Sequence, residues 1–528
     1  MRAGHVGGRH KPMAVLALIL LALVATAWLR PLMLPDEGRY VGVAWEMMHS
    51  GDWLTPTLNG LPFFHKPPLF YWITAASMSL FGLHEWAGRL ASVTGAALGA
   101  FSLWWFLRRW WGERAADLTA VALLAQPLYF LGGQFANLDM LVAGCITATI
   151  VLGADAALSI DAGRPWRVAL AGAWATAALG VLAKGLIGIV IPGGTLLLWL
   201  LLLRRWRLMG QLLWWPGLLL FAVIAVPWFW AMQQRFPDFL HYFFVVQHFQ
   251  RFAAGGFNNV WPVWFYPAVL LLASLPWLPW LMGNRKQPTA AAATADTNGR
   301  LVALLMACWF GLVLLFFSIP ASKLVGYIFP AVPPLAALMA RGFTLWGAAE
   351  SRKRKAWLLS LAATVVLNLA VVIGIALQQR DSLRKLGGTL AALHTPDAPV
   401  LMLGKYYYDL PFYARLQAPV AVFDDWQYAA ANPRDDWHSE LIDAGRFAPA
   451  RAQAALLMPD ALPLSLCKTV GAWVVGPVGS VATYPVLRLV PVVASQRDIR
   501  LWNIDASRPD VFKALRCAGT PSVDPASR

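Results

Sequence analysis

At 528 residues the chain could hold several soluble domains, yet 59% of it is hydrophobic, only 13% is charged, and mean hydropathy is +0.55. That balance excludes a string of ordinary soluble domains, whose apolar runs are short and broken by polar residues. The net charge of +16 is uneven: residues 1–379 carry 27 Lys/Arg against 13 Asp/Glu, and residues 380–528 carry 16 against 14. A basic surplus held in the apolar part is what membrane orientation requires, which argues against a nucleic-acid partner.

In chain order, the apolar run 13–29 follows Arg2, Arg9 and Lys11. No small-residue cleavage pattern follows it and further spans do, so it reads as a retained first helix rather than a signal peptide. Runs near the roughly 20 residues that cross a bilayer place further helices at 88–107, 115–132, 138–158, 167–182, 185–203, 212–231, 261–283, 301–318, 324–341 and 356–378. The fold class is therefore a polytopic α-helical membrane protein of eleven spans, up to thirteen if the first outer loop adds short segments. Basic residues gather at Arg2/Arg9/Lys11, Arg108/Arg109/Arg114, Arg164/Arg167, Arg204/Arg205/Arg207, Arg285/Lys286/Arg300, and Arg341 with 352–355. These are every second loop, which puts the amino terminus inside and the carboxyl terminus outside.

The organisation expected is a membrane domain over 1–379 and an outer domain over 380–528. Within the first, residues 31–87 form a large outer loop, rich in Trp, Phe, Pro and His, expected as short helices along the interface. Residues 287–299 read as a mobile inner loop. In the second domain, strand-like pieces at 400–403, 420–423 and 486–493 alternate with Ala-rich stretches around 448–457, the pattern of a small α/β domain. Cys145 and Cys308 fall in predicted helices as small apolar side chains. Cys467 and Cys517 share the outer domain and are either one disulfide or two thiols.

The unusual polar residues fall at outer helix ends: Asp36, Glu37 and Arg39, then His65 and Lys66, Asn137 and Asp139, Lys184, His241, His248 and Arg251, and Lys323. Charges near a bilayer core are costly and tend to line a cavity or pair, so a shared outer cavity is expected, against the plainer reading that outer loops must carry polar residues somewhere. Asp36-Glu37 is either a helix cap in a solvated loop or a carboxylate pair in which one acts as base or metal ligand while the other fixes a neighbour such as Arg39. Asp139 is either a cap or a second carboxylate at the same site. Lys66 precedes Pro67-Pro68 at a helix start, where free N–H groups draw an anion. Lys184, Arg251 and Lys323 are each ordinary as snorkelling cations; together they suggest a phosphate site reached by a lipid tail.

These residues sit in blocks that resemble the superfamily of integral-membrane glycosyltransferases using polyprenyl-phosphate sugars. That superfamily includes the protein O-mannosyltransferases (glycosyltransferase 39 type) and the 4-amino-4-deoxy-L-arabinose transferases of lipid A. The blocks are PDEGRY at 35–40, GDWLTPTLNGLPFFHKPPLFYW at 51–72, NLDM at 137–140, AKG at 183–185, HYFFVVQHFQRF at 241–252 and SKLVGYIFPAVPPLA at 322–336. The likeness is greatest to the aminoarabinose branch. It implies a periplasmic site in a bacterial inner-membrane protein, a polyprenyl-phosphate sugar donor, lipid A or another envelope acceptor, and a monomer among membrane lipids. Carried over residue by residue, Asp36, Glu37 and Asp139 are the catalytic candidates. Lys66, Lys184 and Arg251 are the phosphate-side cations, and Lys323 and Tyr327 are further donor contacts. Where the aminoarabinose transferases commonly read Glu-Lys-Pro-Pro, this chain has His65-Lys66-Pro67-Pro68; that weakens a divalent metal, for which His65 and His248 are the candidate ligands.

The resemblance implies an inverting transfer, with which the residues are consistent: a carboxylate, Asp36 or Asp139, orients or deprotonates the acceptor and cations offset charge on the departing phosphate. Two rivals are a hexose transferase of the same architecture acting on protein hydroxyls or another envelope glycan, and a lipid-linked sugar flippase. The flippase predicts matched halves with broken midplane helices, and no internal repeat is evident.

Overall fold

Hydrocarbon offers no partner for a backbone N–H or C=O, so the apolar runs close their hydrogen bonds internally as helices. The computed structural model describes residues 11–250, 259–285, 297–346, 350–378, 382–469 and 471–517, without the side chains of 248–250 and 297. These form two units, one of residues 11–30, 65–250 and 259–378, the other of residues 31–64 and 382–517.

In the first unit every one of the eleven expected spans is helical, but the described residues hold fewer full-length spans. Seven helices are long and apolar enough to cross a membrane: Leu90–Trp110, Leu138–Asp161, Arg167–Lys184, Trp215–Arg235, Asn298–Ser318, Val325–Trp346 and Ser351–Gln378. Two bent pairs raise the count to nine: Glu113–Ala125 with Pro127–Gly133, at 69°, and Phe265–Ala273 with Leu275–Arg285, at 96°. Proline causes both bends, since Pro127 follows the extended residue Gln126, and Pro276 and Pro279 interrupt the second pair. Lys11–Val24 and Ile187–Leu202 have 14 and 16 residues. At 1.5 Å per residue they reach about 21 and 24 Å, short of the roughly 30 Å hydrocarbon core. Against the expected eleven to thirteen, seven to nine helices among the described residues meet the length and composition of a span, and Lys11–Val24, Leu69–Phe81 and Ile187–Leu202 are shorter apolar helices. Of the loop 287–299, residues 287–296 lie outside the described residues.

Small residues let these helices touch. A Cβ on Gly144 would lie 2.0 Å from the Gly95 carbonyl oxygen, and one on Gly188 would lie 2.2 Å from the Gly180 carbonyl carbon. Arg89 is fully buried and donates to the carbonyls of Ala27 and Arg30, at 2.5 and 2.9 Å, tying the first helix to Leu90–Trp110.

The second unit is an α/β fold on a six-stranded sheet, ordered β5-β4-β3-β6-β8-β7. Strands β3 (Val400–Leu403), β4 (Ala421–Phe423), β5 (Leu456–Leu457) and β6 (Gly471–Pro477) run parallel. Strands β7 (Val492–Gln496) and β8 (Ile499–Asp505) complete the β6 edge antiparallel. Leu401, Leu403, Phe423, Val474, Trp502 and Ile504 form its core. Cys467 and Cys517 are joined as a disulfide spanning 50 residues. The stretch 486–493 is not one strand: Pro485–Arg488 is a 3-10 turn, and β7 begins only after Pro491, which has no N–H for a ladder.

Residues 31–64, expected within the membrane domain, pack instead with 382–517. The Asp36–Ser50 helix ends at Gly51, φ +72°, and leads to a hairpin of β1 (Thr57–Leu58) and β2 (Leu61–Pro62) around Asn59-Gly60, both at positive φ. Glu46 accepts from the Thr57 hydroxyl and the Asn59 and Gly60 amides at 2.7, 2.6 and 2.9 Å. The Asn59 side chain exchanges two hydrogen bonds with the Val420 backbone, and Trp45 donates to the Leu416 carbonyl. Such pairings link positions more than 350 apart in sequence, which a local pattern cannot announce.

Asp409 in this unit is fully buried, accepting from the Leu383 amide and the Ser382 hydroxyl at 2.7 and 2.9 Å. Burial pushes its carboxyl up to about 6, partly offset by those bonds. An acid whose pKa rises on folding holds its proton more tightly in the native state. Its contribution is therefore full below the unfolded value of about 3.9 and is lost as pH rises through 6, a change of at most roughly 3 kcal/mol. Asp409→Asn is expected to remove that loss, measured as hydrogen-exchange protection of β3 and β4 between pH about 4 and about 7. Equal pH slopes in parent and variant would contradict the assignment.

Candidate active site

Leu138–Asp161 and Arg167–Lys184 are successive helices in a helical hairpin, so the first turn of one adjoins the last turn of the other. Asn137 caps the first helix, its side chain accepting from the Asp139 amide at 2.8 Å. Gly185, at φ +87°, ends the second immediately after Lys184. Lys184 Nζ donates to Asp139 Oδ1, with side chains 12% and 4% exposed. Each charge sits at the end that the helix dipole favours, the carboxylate at an N-terminus and the ammonium at a C-terminus. The third member comes from the 3-10 turn Val325–Ala331, where the Tyr327 ring centroid lies 4.2 Å from Lys184 Nζ. Gly326 is a member that sequence reasoning missed: a Cβ there would lie 2.2 Å from Asp139 Oδ2.

Lys323, four residues before Tyr327, is 2% exposed. Its Nζ donates to the carbonyls of Trp261 and Pro320, at 2.8 and 2.5 Å, with Ala321 O at 3.5 Å. The ammonium thus satisfies the carbonyls beyond the Asn298–Ser318 helix and joins them to residue 261. Lys66 is half-buried, just ahead of the Leu69–Phe81 helix, whose N-cap is Pro68. His65 packs near Tyr242, ring centroids 6.2 Å apart. Arg251 and the side chain of His248 lie outside the described residues. Among the described residues no three His, Cys, Asp or Glu side chains gather as a metal site.

Asp36 and Glu37 begin the Asp36–Ser50 helix of the second unit. Glu37 is fully buried and accepts from the Met33 amide at 3.0 Å, closing the helix start. Asp36 stays one-third exposed and accepts from Arg39 Nη2 at 2.5 Å. Arg39 also donates to Glu440, to which the Tyr408 hydroxyl donates as well, and its guanidinium lies 4.7 Å from the Tyr40 ring centroid. One carboxylate is therefore available at the surface and the other is consumed locally. Glu440 and Tyr408 were missed, because only the tyrosine run 406–408 before Asp409 hinted that the segment is special.

Residues 65–230 match the family model described as dolichyl-phosphate-mannose-protein mannosyltransferase. The chain is 34% identical over 356 residues to an undecaprenyl phosphate-alpha-4-amino-4-deoxy-L-arabinose arabinosyl transferase of Erwinia tasmaniensis, covering 66% of this chain and 62% of the relative. An enzyme of the same name from Aeromonas hydrophila is 34% identical over 354 residues, covering 65% and 62%. The fold matches the crystal structure of ArnT from Cupriavidus metallidurans bound to undecaprenyl phosphate, with TM-score 0.74, 26% identity, and 94% and 98% of the two chains covered. The apo form of that protein gives TM-score 0.75 at 25% identity. By these matches the chain is similar to integral-membrane glycosyltransferases. Its match spans less than two thirds of the length of these two sequence relatives. Its apolar helices make it a multi-pass membrane protein, and Asp139 and Lys184 lie within the matched segment whereas Tyr327 lies well outside it.

Gly326→Ala is expected to push the Asp139 carboxylate off Lys184 and lower the melting temperature, with a cost of about 1–3 kcal/mol for the overpacking. The cost should shrink in an Asp139→Ala background, where the clashing atoms are gone. Equal losses in both backgrounds would contradict the contact.

Proposed function

We propose that the chain transfers 4-amino-4-deoxy-L-arabinose from undecaprenyl phosphate to lipid A or a related envelope acceptor, on the periplasmic side of a bacterial inner membrane. The observation that carries this reading is the buried Asp139–Lys184 pair beneath Tyr327, in a chain whose relatives are named for that donor and sugar. A buried charge pair is a poor source of stability, so its presence is better explained by chemistry.

In the proposed reaction an acceptor oxygen attacks the anomeric carbon, the bond from that carbon to the phosphate oxygen breaks, and polyprenyl phosphate departs with the electron pair. The configuration inverts. Asp36 orients the acceptor or takes its proton, Asp139 sets the position of Lys184, and Lys184 with Lys66 and Arg251 meets the charge growing on phosphate. Tyr327 confines the Lys184 ammonium, Lys323 holds the turn that presents Tyr327, and Glu37 fixes the helix start that presents Asp36. Phosphate is already a good leaving group, so no strong general acid is required. The basic loops orient the amino terminus to the cytoplasm and residues 382–517 to the periplasm. A second reading, transfer of a hexose to protein hydroxyls, is favoured by the family description matched over 65–230.

Asp36→Asn and Lys184→Ala, assayed with purified undecaprenyl-phosphate aminoarabinose and lipid A, are expected to lose about 10²-fold or more in turnover. Lys184→Ala leaves an uncompensated buried carboxylate costing about 3–5 kcal/mol, so Lys184→Ala/Asp139→Asn serves as the folded control and should remain inactive. Full activity in folded variants would overturn the site. Transfer only from a hexose donor to a peptide would select the second reading.

A further inference from the structure

Four helices of the first unit, Leu138–Asp161, Arg167–Lys184, Ile187–Leu202 and Trp206–Leu212, line a half-open cavity of about 470 Å³. This is within the range of roughly 300–1,000 Å³ typical of ligand pockets. Its wall is apolar, including Leu170, Pro192, Leu196 and Met209. Two of its polar side-chain groups are already satisfied: the Thr149 hydroxyl bonds to the Cys145 carbonyl and Thr176, and Trp174 Nε1 donates to the Leu212 carbonyl. Water gains nothing in such a space, whereas a hydrocarbon chain does.

Most of the cavity wall lies away from the Asp139–Lys184 pair, Ala177 and Ile189 being its nearest residues to Lys184 along the chain. Thr149 and Gly153 lie roughly 15 and 21 Å along their helix from Asp139, and Leu170 roughly 21 Å along the next helix from Lys184, at 1.5 Å per residue. It therefore runs from the middle of those helices toward their opposite ends, and its wall reaches the surface there, with Trp206 and Leu213 61% and 62% exposed. Two wall residues leave space unfilled: a Cβ on Gly193 or on Gly210 meets no atom within 4 Å.

The segments closing that end carry Arg164, Arg167, Arg204, Arg205 and Arg207. Asp161, the acidic residue among them, is paired with Arg205. Arg164 and Arg167 lie over the faces of Trp110 and Trp166, at 5.8 and 5.7 Å. Orientation in the membrane explains arginines in this loop but not an unfilled apolar cavity beside them. Together the two specify a ligand with a hydrocarbon tail and an anionic head.

We propose that this cavity is a binding site for an anionic phospholipid of the adjoining leaflet, one acyl chain in the cavity and its phosphate among Arg167, Arg204 and Arg207. A zwitterionic lipid would bring its own ammonium into the arginine cluster, and a polyprenyl phosphate would have its charge at the other end of these helices. Occupancy fills space between the two helices that carry Asp139 and Lys184, so lipid binding stabilises their packing by mass action.

The test uses the full chain, purified in detergent and offered phosphatidylglycerol or phosphatidylcholine, with bound lipid counted by native mass spectrometry and melting temperature recorded. The parent is expected to retain one phosphatidylglycerol and to melt higher with it, and Gly193→Ala, too small to fill the cavity, should behave likewise. Gly193→Phe should lose both the bound lipid and the shift while keeping every arginine, which separates the cavity from bulk charge. Gly210→Leu tests the same point should the first variant not fold. Arg204→Gln/Arg207→Gln should weaken phosphatidylglycerol binding about tenfold or more and leave the cavity intact. Retention of phosphatidylglycerol by the filled variants, equal binding of phosphatidylcholine, or polyprenyl phosphate as the displaced lipid would each overturn the proposal.

Discussion

A lysine and an aspartate placed among apolar helices must face one another, because either alone would cost several kcal/mol of desolvation. The hairpin of Leu138–Asp161 and Arg167–Lys184 is arranged around that requirement. Asn137 sets where the first helix begins and Gly185 where the second ends, so Asp139 and Lys184 arrive at the same level. The turn Val325–Ala331 can approach only because residue 326 has no side chain, and Tyr327 then closes over the ammonium. Even Lys323 serves this arrangement, spending its donors on backbone carbonyls that hold the approach to the turn.

The second unit solves a different problem with the same means. The Asp36–Ser50 helix has Glu37 inside and Asp36 outside, adjacent residues pointing apart. Asp36 is kept in place through Arg39, which Glu440 and Tyr408 hold from a part of the chain some 370 to 400 residues away. A carboxylate whose position depends on so remote a clamp explains why residues 31–64 pack with 382–517. The hairpin at Asn59-Gly60 and the Asn59–Val420 bonds fasten the same segment a second time.

What the sequence disclosed follows from how local each signal is. Apolar runs located every long helix of the first unit, since length and composition suffice for that. They could not count full spans, because Pro127, Pro276 and Pro279 bend helices without interrupting the apolar run, and because Ile187–Leu202 is apolar throughout yet short. Asp139 and Lys184 were legible separately, as polar residues at the ends of neighbouring helices, but their pairing was not. Nor was their contact with Gly326, as a glycine carries no chemical mark of what approaches it. In the second unit β3 and β4 were visible as short β-branched or leucine-rich runs. The strand β8 was not, since IRLWNID alternates only weakly and is defined by pairing with β6.

Charge and cavity together give the hairpin of Leu138–Asp161 and Arg167–Lys184 two distinct ends. At one end a single acid and a single base neutralise each other in a dry setting, so any further anion there meets an ammonium already held in position. At the other end five arginines outnumber one aspartate beside an apolar cavity, and the excess is left to whatever lies against it. A helix is stiff over the roughly 25 Å separating such ends, and the contacts at Gly144 and Gly188 leave it little room to shift against its neighbours. Filling or emptying the cavity therefore bears on the same rigid bodies that fix the distance between Asp139 and Lys184, which makes lipid composition a physical variable of the candidate active site rather than a property of its surroundings.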